Sequence, residues 1–123
     1  MRHTAITISA ATALAVVLGS LSLSIPSMSQ AGSSTVEEGK KIAFDRKKGN
    51  CLACHQIEGG SLPGNIGPPL VAMKARFPDK KVLKEQISNP QKNNPHTMMP
   101  PFGPHKIISE SEIDKVVEFI HTL

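Results

Sequence analysis

The clearest pattern lies at the end of the chain, where Ile113, Val116, Val117 and Ile120 stand at i, i+3, i+4 and i+7, the spacing of one helical face. Ser109-Glu110-Ser111-Glu112 precedes them as a capping box, so a helix is predicted over 109–122. Leu83 and Ile87, four apart behind an N-cap at Asp79, predict another over 80–88, stopped by Asn89-Pro90. A third is predicted over 35–47: Thr35-Val36-Glu37-Glu38 reads as a capping box, and Val36, Gly39, Ile42 and Ala43 form an apolar or small-residue stripe. Glycine inside a helix costs about 1 kcal/mol relative to alanine, so Gly39 predicts a close approach by another element, with the C-terminal stripe as its natural partner. The alternative is a weak helix in which Gly39 has no special role. Leu70–Ala75 reads as a brief helix with Met73 on its apolar side.

Two breaker-rich stretches separate these helices. Gln56–Pro69 contains Gly59, Gly60, Pro63, Gly64, Gly67, Pro68 and Pro69; Asn93–Gly103 contains Pro95, Pro100 and Pro101 and carries Met98 and Met99. Loops this long call for a purpose, and wrapping a cofactor is one. At the N-terminus, Met1-Arg2-His3 leads into an apolar stretch from about Ala5 to Ile25 and then Ser29-Gln30-Ala31, the form of a secretory signal cut after Ala31. A retained anchor is the competing reading, but serines and threonines interrupt the stretch and Pro26 ends it. The domain organisation is therefore a signal peptide over 1–31 and one small all-α domain over 32–123, with no membrane span after cleavage and a periplasmic destination.

Composition changes this picture in two ways. Removing 1–31 takes away Arg2 and no acidic residue, leaving 13 basic and 10 acidic side chains in 92 residues. This balance is too mild to imply a nucleic-acid partner. With no Trp, no Tyr and four Phe, so short a chain makes a poor interior from its own side chains.

Cys51-Leu52-Ala53-Cys54-His55 supplies what is missing, because Cys-x-x-Cys-His is the attachment sequence of a c-type haem. Each thiol can add to one vinyl group, and the adjacent histidine then lies under the iron. A thioredoxin-type pair needs a βαβ setting, and no alternating β-branched strand precedes Cys51. Structural zinc needs four ligands, and His96, His105 and His121 do not pair at ligand spacing. A Cys51–Cys54 disulfide would leave His55 without a role.

The order of helix, Cys-x-x-Cys-His, Gly-Pro loop, helix, Met-Pro loop and helix resembles class I cytochromes c over residues 35–123. That resemblance implies one covalent haem c with three or more helices around it. Cys51 and Cys54 take the place of the thioether anchors and His55 that of the proximal ligand. Gly67-Pro68-Pro69-Leu70 resembles the family's Gly-Pro-x-Leu, which places the Pro68 carbonyl on His55 Nδ1. Met99 takes the place of the distal ligand. On the residues alone Met98 competes with it, Met73 and His105 rank behind, and both loop methionines have a reading as apolar filler.

A finer resemblance is to the SoxX family. It rests on Gly49–His55, on Gly64–Leu70, on Met99-Pro100-Pro101-Phe102-Gly103-Pro104-His105 and on Glu112–Ile120. It implies the small monohaem subunit of a SoxAX-type complex of thiosulfate oxidation. The expected partners are a SoxA-type haem subunit and, transiently, a SoxYZ-type carrier and a downstream electron acceptor. Such a subunit relays electrons and holds no catalytic residue of its own, because both cysteines are taken by haem. The complex as a whole is an L-cysteine S-thiosulfotransferase. A freestanding periplasmic electron carrier is the alternative, and a haem-based sensor would need an open sixth position. The family's usual Trp and Tyr propionate partners are absent here, which leaves Asn65, lysines, arginines or backbone amides for that task.

Overall fold

A computed structural model describes residues 29–123, so the predicted leader lies outside the described residues except for its last three positions. The chain runs through α1 (Ser29–Phe44), a 3-10 turn at Cys51–Ala53, α2 (Met73–Arg76), α3 (Lys80–Ser88), a second 3-10 turn at Pro90–Lys92, and α4 (Glu110–Ile120). The described residues contain no strand, and the fold is all-α.

α4 forms as its pattern predicts. Ser109 accepts from the Glu112 backbone N–H while the Glu112 carboxylate accepts from the Ser109 N–H, closing the capping box. Lys48 and the two Ser109 donors hold the Glu112 carboxyl down at about 2, well below the usual carboxylate range. α3 likewise begins at Asp79, whose side chain accepts from the Lys81 N–H, and it buries Leu83 and Ile87.

α1 departs from expectation at both ends. Thr35 lies inside the helix and is no N-cap, because the helical backbone already runs from Ser29. Serine and threonine cost a helix interior little enough for this to hold. The helix ends at Phe44 and stops short of Lys47 because Asp45 gathers the following chain into a turn. Its carbonyl accepts from the Lys48 and Asn50 N–H groups, each at 3.0 Å, and its side chain accepts from the Lys47 N–H at 2.8 Å. Gly49 closes the turn by donating to the Ile42 carbonyl at 3.1 Å, where a Cβ would stand only 2.8 Å from that oxygen.

α2 also starts later than predicted, at Met73. Leu70 donates its N–H across the fold to the Gln56 carbonyl at 2.9 Å, and Ala72 takes a left-handed conformation at φ 50°. The left-handed turn at Ala72 keeps it and the residues before it out of the helix. Past α3, Pro90 both ends that helix and opens a further 3-10 turn, a position where its missing N–H costs nothing.

α4 supplies more of the core than any other helix, burying Ile113, Val116, Val117, Phe119 and Ile120. α1 lies across it at Gly39, where a Cβ would stand 1.9 Å from the Lys115 carbonyl oxygen and 3.0 Å from the Phe119 Cβ. Further along, Phe44 and Phe119 meet edge to face at 5.8 Å. The acidic residues of α4 face lysines elsewhere in the fold. Glu112 pairs with Lys48, Glu118 with Lys80 at 2.6 Å, and Glu110 and Asp114 share Lys84 at 3.5 and 2.6 Å. Such exposed pairs add little to stability. Their use is to fix α4 against α3 and against the turn that leads into Cys51.

Candidate functional site

The 3-10 turn begins at Asn50, left-handed at φ 46°, a conformation asparagine tolerates better than most residues. It brings the backbone round so that Cys54 and His55 both donate to the Cys51 carbonyl, at 3.2 and 2.9 Å. Cys51, Cys54 and His55 thereby line one wall of a cleft of about 750 Å³, within the range of about 300–1,000 Å³ usual for small-molecule sites. The floor is apolar, made by Leu83, Ile87, Val116 and Ile120. Cys51 and Cys54 are not joined as a disulfide, and burial pushes the Cys51 thiol up to about 11.

The Gly-Pro segment straps the histidine. Gly67 donates to the Cys54 carbonyl at 2.8 Å, and a Cβ on it would lie 2.4 Å from His55 Cε1. Only glycine lets the strap lie flush on the imidazole. Next to it, the Pro68 carbonyl oxygen lies 2.7 Å from His55 Nδ1. A carbonyl can only accept, so Nδ1 carries the proton and the lone pair is left on Nε2 for a metal.

The structure separates the sulfur candidates. Met98 is 79% exposed, whereas Met99 is half-buried and packs against the core, and both reach the cleft. Met99 donates its N–H to Thr97 Oγ1 at 3.2 Å, and Pro100 and Pro101 follow it with fixed φ. Met73 is a core side chain, 2% exposed, with Sδ 3.4 Å from Arg76 Nη1. His105 is exposed and does not line the cleft. Arg76 also lines the cleft and was not singled out from the sequence, because it sits in no motif or apolar stripe that would mark it.

Two thiols, an imidazole whose Nδ1 is held by the Pro68 carbonyl, a thioether lining the same cleft and an apolar floor fit a covalently held haem. Fold and cleft together define an all-α haem protein of the c type. The Cytochrome c sequence profile matches residues 36–123, and the chain belongs to that family, which implies a covalently bound haem c. A chain of the crystal structure of SoxXA from P. pantotrophus superposes with a TM-score of 0.63 at 29% identity, covering 70% of this chain and 79% of that one. An uncharacterized lipoprotein of Aquifex aeolicus (strain VF5) is 38% identical over 76 residues, 61% of this chain. The match spans only 37% of that relative's length. None of the described helices is long and apolar enough to cross a membrane.

Proposed function

We propose that this chain is a periplasmic electron-transfer subunit of the SoxX type, exported by a signal peptide over 1–31 and carrying one haem c. It would pair with a SoxA-type haem subunit in a complex that couples thiosulfate oxidatively to a cysteine of a SoxYZ-type carrier. The observation that carries this reading is the likeness to a chain of SoxXA, over most of both chains and at an identity high enough to bear on more than fold.

The residues divide the work as follows. Cys51 and Cys54 would hold the haem through thioether bonds, and His55 Nε2 and Met99 Sδ would supply the ligands to its iron. The Pro68 carbonyl, holding Nδ1–H at 2.7 Å, fixes the ring and makes Nε2 a better donor. When bound, the haem supplies a one-electron redox centre, and thioether ligation raises its potential, which suits a group that accepts electrons. The apolar floor would keep water away from a haem bound in the cleft. Neither cysteine remains as a nucleophile, so the sulfur chemistry belongs to the partner.

Native purification tests the reading. The chain is expected to elute with a second haem-bearing polypeptide and to be reduced when thiosulfate and a carrier protein are added to that complex. A chain that purifies only as a haem-loaded monomer, and stays oxidised under those conditions, would instead be a freestanding electron carrier.

A further inference from the structure

Between Gly67 and Leu70 the strap over His55 is held at its ends by backbone N–H groups, Gly67 to the Cys54 carbonyl at 2.8 Å and Leu70 to the Gln56 carbonyl at 2.9 Å. Its middle has no such means, because Pro68 and Pro69 have no N–H. Only their carbonyls can be held, and the structure gives each a side-chain donor. Pro68 O lies on His55 Nδ1, and Pro69 O accepts from Arg76 Nη1 at 2.9 Å. We infer that Arg76 is a positioning residue for the proximal ligand, clamping the double-proline strap so that the Pro68 carbonyl stays on His55 Nδ1–H. The inference rests on the reading of His55 as the proximal ligand.

The clamp has a firm base. Arg76 is the last residue of α2, and its N–H donates to the Ala72 carbonyl at 3.0 Å. That short helix is tied in turn to the end of the chain, where Met73 donates to the Leu123 carbonyl at 2.7 Å and buries its side chain. Nη1 also lies 3.4 Å from Met73 Sδ, so the guanidinium is held on its own helix as well as on the strap. The carbonyl that Arg76 holds and the carbonyl that holds His55 belong to adjacent residues. Slack at Pro69 therefore passes directly to the bond at Pro68. A planar guanidinium suits this task because its donors are fixed in direction, whereas a lysine ammonium is a mobile point charge.

A simple charge effect of Arg76 on the cleft is the competing role, and Arg76→Lys separates the two because it keeps the charge and loses the fork. The measurement is exchange of the His55 Nδ1 proton, followed by NMR in the reduced holoprotein, for wild type, Arg76→Lys and Arg76→Gln. Both variants are expected to exchange roughly tenfold faster, the effect of losing one hydrogen bond to a charged donor that restrains local opening. In Arg76→Lys the midpoint potential should also rise, since a less firmly held imidazole donates less to ferric iron. Wild-type exchange in both variants, or in Arg76→Lys alone, overturns the clamp. A wild-type spectrum without histidine-bound iron would instead bring down the reading of His55, and the clamp with it.

Discussion

Gly39→Val is expected to destabilise the holoprotein by about 3 kcal/mol or more, at or beyond the upper end of ordinary overpacking. The obstacle is backbone, since a Cβ at this position meets the Lys115 carbonyl oxygen at 1.9 Å. No rotamer change relieves that contact. Gly39→Ala sets the two effects against each other most cleanly. In an exposed helix that substitution gains about 1 kcal/mol of propensity; here it should still lower stability, because α1 and α4 must move apart along their whole contact. Denaturant midpoints of the haem-loaded protein check both, and an unchanged or raised midpoint for Gly39→Ala would mean that the two helices do not cross there.

Met99→Ala is expected to abolish the weak near-infrared charge-transfer band of ferric His/Met haem and to open the iron to external ligands such as cyanide. Met98→Ala should leave the band in place. The distinction follows from where the two side chains lie: Met98 is 79% exposed, while Met99 packs against the core beneath two consecutive prolines. Proline at 100 and 101 restricts the backbone, so the Met99 sulfur is presented at low conformational cost. A band lost in Met98→Ala and retained in Met99→Ala would transfer the ligand role to the exposed residue.

The same two sites show what the sequence could and could not say. Gly39 was legible because a glycine on an otherwise apolar stripe is locally unfavourable and must be offset by something outside the helix. The starts of α4 and α3 were legible because their caps are made by neighbouring residues, Ser109 with Glu112 and Asp79 with the Lys81 N–H, while α4 ends at Ile120, two residues short of the predicted end. The α1 end was not, because it is set by the turn at Asp45 and by Gly49 folding back onto Ile42, bonds that no apolar period announces. The start of α2 was hidden because it is set by the left-handed turn at Ala72, a residue type that does not announce such a turn. In the cleft, local spacing marked Cys51, Cys54 and His55, and the likeness of Gly67-Pro68-Pro69-Leu70 to the family's Gly-Pro-x-Leu pointed to the strap. Arg76 was missed because its partner is a backbone carbonyl brought to it by the fold.

The account depends above all on haem being fixed covalently at Cys51 and Cys54, and extraction of the purified protein with acidified acetone tests this most directly. Thioether bonds survive that treatment, so the colour is expected to stay with the precipitated polypeptide, and a digest should yield one haem-bearing peptide spanning Cys51–His55. Colour that passes into the acetone, leaving both cysteines free to react with a thiol reagent, would contradict it.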